Sequence, residues 1–247
     1  MKDDANDYNK HAAEYAEIKK QAWRAEVELP SFSKAIGDVS GLKVLDMACG
    51  QGYHTRHLKQ AGAAQVDGFD MSEVMIADAQ AEEDKHPLGI NYTVENVVDH
   101  GPQLDYDLAV SAWLLVYCET YQMLDDFCAG IARRIRPGGR FVTFGTNNEI
   151  YLTRHTDYSK YGYMMELPDE EPREGSVIRW HFPLDINPDY HIDNFYLGNH
   201  AYRVALQKAG FTDITFHWLS IAEGADRDYY AEFLEYPIAF SISATKA

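Results

Sequence analysis

The hydrophobic positions of this 247-residue chain fall into short runs broken by polar and glycine-rich stretches, and their period changes along the sequence. Residues 1–40 show no strand alternation; Tyr15, Ile18, Ala22 and Val27 recur at spacings that a helix places on one side, which predicts a helical N-terminal segment. Residues 44–47 are apolar apart from Asp46 and stop at a turn carrying Gly50 and Gly52, so a strand, a tight turn and a helix from about Tyr53 to Gly62 are expected. A second run, 64–69, ends in Asp70; Ser72 then caps a helix whose Val74, Met75, Ile76 and Ala79 face the sheet. Gly89 opens a third extended run, 90–94, and the nearly continuous apolar stretch 105–113 reads as a strand covered on both faces. Leu124, Phe127, Cys128, Ile131 and Ile135 form a helical stripe, after which 136–140 turns the chain into a fifth strand, 141–145.

Strands alternating with helices predict an α/β protein with a parallel sheet. The stretch 147–197 breaks that alternation: it is dense in aromatics and too long for a plain loop in a compact domain. Residues 176–182 and 191–197, joined by Pro183, Asn187 and Pro188, have the composition of an added antiparallel strand pair. Within it Ile178, Trp180 and Phe182 share one face and Arg179 and His181 the other. Residues 199–209, closed by Gly210, are the expected last helix, and 211–219 with 237–245 the terminal antiparallel pair.

Composition narrows the function. A formal net charge of -17 argues against nucleic acid as a partner, because phosphate binding draws on clustered Lys and Arg. Cys49, Cys118 and Cys128 are odd in number and widely spaced, so neither a disulfide framework nor a zinc site is indicated. The N-terminus is too polar for a signal peptide, and no apolar run approaches the roughly 18 residues of a membrane span. A cytoplasmic protein without a membrane partner is expected, with a homodimer as the candidate assembly.

The turn at 44–53 is where chemistry is expected. Gly50 and Gly52 can take positive φ and lack a Cβ, so a ligand can lie on the backbone there. Asp70, at the end of the second strand, can accept both hydroxyls of a ribose. A dinucleotide turn does not fit: the frames read Ala48, Gly50, Tyr53 and Gly50, Gly52, Thr55, and no Gly-Lys-Ser/Thr follows for a P-loop. Asp46-x-Ala48-x-Gly50-x-Gly52 instead resembles the first motif of class I S-adenosylmethionine-dependent methyltransferases, with Ala48 at the usual first glycine. Ile135-Arg136-Pro137-Gly138-Gly139 is a second likeness, and the match runs from about Gly41 to Thr146.

That resemblance implies a Rossmann-like class I methyltransferase fold, with a seven-stranded, mostly parallel sheet whose last strand is antiparallel. It divides one methyltransferase domain, 1–247, into a helical lid (1–40), a cofactor-binding core (41–146), an acceptor-side insert (147–197) and a closing helix and strand pair (198–247). The implied cofactor is S-adenosylmethionine, released as S-adenosylhomocysteine. Its implied contacts are Tyr15, Asp46, Ala48, Gly50, Gly52, Asp70, Met71, Asn96, Val97, Ser111 and Trp113. Asn96 stands where the family usually has an Asp facing adenine, and Asp99 is the alternative occupant. Residues 7–15 resemble the Tyr-containing leader that many small-molecule methyltransferases fold over the cofactor; a helix packed on the sheet edge is the other reading.

Methyl transfer from a sulfonium needs alignment and exclusion of water rather than a metal. Candidate bases are His54, His155, His181 and His200, none singled out by spacing, with His181 and Tyr117 the candidates for a catalytic group. Tyr15 and Tyr117 are expected near the cation. Tyr117, Tyr158, Tyr161, Trp180, His181 and Tyr196 are expected to bind a flat acceptor in a cavity shared with Trp113. The chain is also similar to the toxoflavin synthase group, which methylates nitrogens of a fused azapteridine-like ring, at residues 44–50, at 84–89 and at Phe233-Leu234 with Pro237. The expected activity is methylation of N or O on a small aromatic or heterocyclic molecule; protein methylation and a non-catalytic cofactor-binding module are the alternatives.

Overall fold

The computed structural model describes residues 6–99, 104–168 and 171–247, so the first five residues of the expected lid lie outside it. The chain begins with α1 (Ala12–Lys19), a five-residue π-helix (Arg24–Glu28) and α2 (Leu29–Ile36). It continues through β1 (Lys43–Met47), α3 (Tyr53–Gln60), β2 (Gln65–Asp70), α4 (Glu73–Lys85), β3 (Asn91–Val94), β4 (Tyr106–Ala112), α5 (Tyr121–Ala132) and β5 (Ile135–Thr146). Then follow β6 (Asp157–Tyr158), β7 (Tyr163–Glu166), β8 (Val177–His181) and β9 (His191–Phe195), and finally α6 (Asn199–Lys208), β10 (Phe211–Trp218), α7 (Ala231–Glu235) and β11 (Ala239–Lys246).

The main sheet has the order β10-β11-β5-β4-β1-β2-β3. Strands β1 to β5 pair in parallel, while β11 runs antiparallel to both β5 and β10. The expected seven-stranded sheet with an antiparallel last strand is therefore present. Its central strands β1, β4 and β5 are largely apolar because both faces are covered. Val44, Leu108, Val110, Val142 and Phe144 pack with α2, α3 and α4, and their neighbours Leu45, Ala109 and Phe141 with α5 and α6. Ser72 caps α4 as expected, its Oγ accepting the Met75 N–H at 3.2 Å.

Five expectations need correction. Helix α1 ends at Lys19, so Ala22 is exposed and Trp23 turns into the core beside Ile18 and Val27, because the break at 20–22 rotates the helical register. Val74 is exposed, since only Met75, Ile76 and Ala79 of its group reach the core. Ile135 opens β5 opposite Tyr106 instead of extending the α5 stripe. The helix α6 is not the last, because α7 follows it. The insert is a four-stranded antiparallel sheet, β6-β7-β8-β9, where a pair was expected. Its β8 and β9 are the two anticipated strands; β6 and β7 are short and lie in a stretch whose tyrosines gave no clear alternation. The inner face of this second sheet, with Tyr163, Ile178, Trp180 and Ile192, joins the core formed with Trp23 and Phe233. Among the described residues no helix is long and apolar enough to cross a membrane.

Candidate active site

Strand order reverses between β1 and β4, and a crevice opens at the carboxyl ends of the strands there. The loop leaving β1 carries three left-handed residues, Ala48 (φ 55°), Gly50 (φ 53°) and Gly52 (φ 82°). They fold it into a concavity before α3. A Cβ on Gly52 would collide with the Tyr92 ring, so that glycine serves packing. Gly50 faces open space except for the Tyr15 ring, 3.6 Å from where its Cβ would lie. Asp70 closes the loop: its two carboxylate oxygens accept the Gly50 and Ser72 N–H groups, each at 2.9 Å. Burial raises the Asp70 pKa. Asp46 lies beneath the loop, 2% exposed, accepting the Thr55 hydroxyl at 2.7 Å, and burial pushes its pKa up to about 7.

The N-terminal segment crosses this crevice. Asn9 accepts the Ser72 hydroxyl at 2.7 Å, and Gln51 donates to the Ala12 carbonyl at 3.4 Å. The rings of Tyr8 and Tyr15 meet edge to face at 5.2 Å, and the Tyr8 and Tyr117 hydroxyls are hydrogen-bonded to each other. Farther on, Asn6 bonds Asp193 and Gln21 bonds Gly162, so the segment ties the core to the insert. Between Tyr8, Tyr15, Gly50, Asp70, Trp113 and Tyr117 a cavity of about 40 Å³ is left. On the other side of Tyr15 a cleft of about 400 Å³ runs past Lys19, Asp46, Ala48, Gln51, Tyr53 and His54.

The remaining expected cofactor residues are spread unevenly. Met71 is 70% exposed at the end of β2. The Asn96 side-chain oxygen accepts the Val98 N–H at 3.2 Å, while Asp99 accepts the Asn96 N–H at 3.0 Å. Val97 is buried, with its carbonyl held by Arg134. Ser111 is a correction: it is fully buried and donates to Thr143 at 2.9 Å, because its position in β4 directs it into the sheet. A buried and a half-buried carboxylate around a glycine concavity suit a ligand bearing both positive charge and a vicinal diol, as S-adenosylmethionine does.

On the side of the insert, Trp113 (φ 64°) meets Trp180 edge to face at 5.7 Å. With Tyr15, Arg24, Tyr117, Phe182, Ile192 and Asn194 they enclose about 20 Å³. Trp113, Tyr117 and Trp180 are thus brought together. The other expected acceptor residues are not. Tyr158 and Tyr161 are buried against Phe233, with their hydroxyls on the Tyr236 and Tyr229 carbonyls. Tyr196 packs on Tyr151. His181 bonds Glu166 at 3.0 Å on the outer face of β8, since alternation turns it away when Trp180 turns in. Of the other histidines, His155 stacks on Tyr236, His200 is exposed and His54 is buried.

A buried charged node was not foreseen. Glu28, wholly buried, accepts from Lys19 at 3.2 Å, His54 at 3.2 Å, Trp113 Nε1 at 2.9 Å and Arg24. Burial alone would raise its pKa, but Arg24, Lys19 and His54 outweigh it and hold the carboxyl well below the usual range. Burial in turn lowers the His54 pKa. The i,i+4 spacing of Arg24 and Glu28 was the available signal; their meeting with Trp113 depends on the fold. Among the described residues no group of His, Cys, Asp and Glu is placed to hold a metal ion.

Residues 44–139, less than half of the chain, match the methyltransferase-domain family model. A tRNA U34 carboxymethyltransferase of Idiomarina loihiensis is 30% identical over 124 residues, 49% of this chain and 38% of that protein. A ubiquinone biosynthesis O-methyltransferase of Coxiella burnetii is 32% identical over 117 residues, 46% of this chain and 48% of that one. The chain thus spans less than half the length of these curated relatives. The crystal structure of an S-adenosylmethionine-dependent methyltransferase from Mesorhizobium loti superimposes with a TM-score of 0.65 at 24% identity, covering 89% of this chain and 97% of that one. The fold is that of the S-adenosylmethionine-dependent methyltransferases. The resemblance to a tRNA-directed enzyme sits uneasily with the expectation, drawn from charge, that nucleic acid is no partner.

Proposed function

We propose that the chain transfers a methyl group from S-adenosylmethionine to N or O of a small flat acceptor held beside Trp113, Tyr117 and Trp180. The observation that carries this reading is the adjacency of the two halves: Tyr15, Trp113 and Tyr117 line both the Gly50–Asp70 cavity and the Trp180 cavity. Bound at the first, S-adenosylmethionine would supply a methyl carbon that the acceptor's lone pair attacks in line, with S-adenosylhomocysteine leaving as the thioether. Gly50 gives the ligand access to the backbone, Asp70 has lone pairs left for the ribose hydroxyls, and Asp46 supplies negative charge. Tyr8 and Tyr15 exclude water by lying across the site. Of the catalytic candidates Tyr117 alone lines the acceptor cavity, and burial raises its pKa so far that it remains a neutral phenol. It therefore positions the acceptor, which must bring its own lone pair or arrive ionised.

A ring nitrogen, as in the toxoflavin synthase group, meets that requirement and is the finer form of the proposal. The net charge of -17 favours a small molecule over tRNA. The test is incubation with S-adenosylmethionine and, separately, a panel of aromatic and heterocyclic acceptors, a peptide library and bulk tRNA, following release of S-adenosylhomocysteine. Turnover with small acceptors is expected, and Trp180→Ala should reduce it far more than cofactor affinity. Release with tRNA or peptides alone, or parallel loss of both properties in Trp180→Ala, refutes the reading.

A further inference from the structure

The acceptor cavity carries two buried donors with nothing to donate to. Arg24 is 5% exposed and Trp180 3% exposed, and both line it. Glu28 takes one guanidinium N–H of Arg24 and the indole N–H of Trp113. Arg24 Nε and Trp180 Nε1 have no hydrogen-bond partner among the described residues. An unmet buried donor costs about 1–3 kcal/mol, and native structures hold few of them. Two around one cavity mark a place where an acceptor atom belongs.

Most other polar atoms around the cavity are already engaged. The Asn194 side-chain oxygen accepts the Thr146 hydroxyl at 2.8 Å, and the Trp113 indole N–H is spent on Glu28. Nearby charge has the same sense: Lys19 and Arg24 share the single carboxylate of Glu28. At about 20 Å³ the cavity has room for one water-sized oxygen. Its walls Tyr15 and Tyr117 also border the Gly50–Asp70 cavity, so a planar molecule anchored at Arg24 and Trp180 reaches toward that side once the tyrosine arm lifts.

We infer that the acceptor carries an anionic oxygen, of carboxylate type, on its ring system and that Arg24 Nε–H and Trp180 Nε1–H bind it. This rests on the methyltransferase reading and adds the substrate class. Charge-assisted hydrogen bonds to a desolvated oxyanion are among the stronger ones, and loss of one such bond removes about tenfold or more in affinity.

The experiment is calorimetry on the full chain saturated with S-adenosylhomocysteine, using two matched pairs of probes: 4-hydroxybenzoate against 4-methylphenol, and quinoline-2-carboxylate against 2-methylquinoline. Wild type should bind the carboxylate of at least one pair about tenfold or more tighter than its neutral partner. Trp180→Phe, which keeps a ring and removes the N–H, should cut that ratio about tenfold, and Arg24→Lys should cut it as well. Trp180→Phe carries the test if Arg24→Lys fails to fold. Equal binding within both pairs, or an unchanged ratio in Trp180→Phe, overturns the inference. Carboxylate preference in a protein that binds no S-adenosylhomocysteine would instead refute the methyltransferase reading and leave the anion site standing.

Discussion

Asp46 should couple cofactor binding to pH. It is 2% exposed; burial raises its pKa to about 7, Asp70 adds to the rise, and the Thr55 hydrogen bond and the Lys19 charge oppose it. With that value about half of the protein carries the Asp46 anion at pH 7 and only about 3% at pH 5.5, a ratio of about sixteen. A ligand bearing a sulfonium and an ammonium binds the anion preferentially, and its α-amino group, with a pKa of about 7.7–8.0, stays protonated across this window. Affinity for S-adenosylmethionine should therefore rise up to about sixteenfold from pH 5.5 to 7, with proton release on binding. In the free protein the sign is opposite. The folded pKa lies above the unfolded one, so the stability Asp46 contributes is complete below about pH 4 and is lost as pH rises through about 7. Asp46→Asn, whose amide oxygen can still accept from Thr55, should be the more stable protein at pH 8, by about 4 kcal/mol at most. Calorimetry and thermal melts at pH 5.5, 6.25, 7 and 8 on both proteins check this. His54 and His57 line the same cleft, and burial lowers the pKa of each. If Asp46→Asn keeps the wild-type slope, the histidines are responsible and the assignment to Asp46 is refuted.

Removing Asp70 should weaken S-adenosylmethionine binding at least about tenfold, because hydrogen bonds to a charged acceptor contribute roughly 1.5–3 kcal/mol; equal calorimetric affinity for wild type and Asp70→Ala would remove Asp70 from the ribose site. Tyr8 and Tyr15 narrow the cofactor side to about 40 Å³, so the arm must open for exchange and re-form over the bound cofactor. Hydrogen exchange over residues 8–15 should therefore slow when S-adenosylmethionine is added, and rates indifferent to it would make the segment an edge helix and not a lid.

The sequence by itself determined the main sheet and the cofactor loop, since both rest on local rules. Continuous apolar runs specify strands buried on two faces, and Gly50, Gly52 and Ser72 mark a turn and a cap within a few residues of where they act. Alternation also separated Trp180 from His181, but it could not say which face would turn toward Trp113. That was decided by packing: the apolar face of β8 closes on Trp23 and Trp113, which leaves His181 outside with Glu166. Ser111 and Trp113 likewise looked equivalent at the end of one strand. Ser111 lies within β4 and bonds Thr143, whereas Trp113 follows the strand at positive φ and turns to Glu28. Only the tertiary structure brought Lys19, Arg24, Glu28, His54 and Trp113 to one point, and with them the unpaired donors of Arg24 and Trp180. Apart from the i,i+4 pair Arg24 and Glu28, their meeting is set by long-range burial across separate segments, of which no local spacing in the chain is a record.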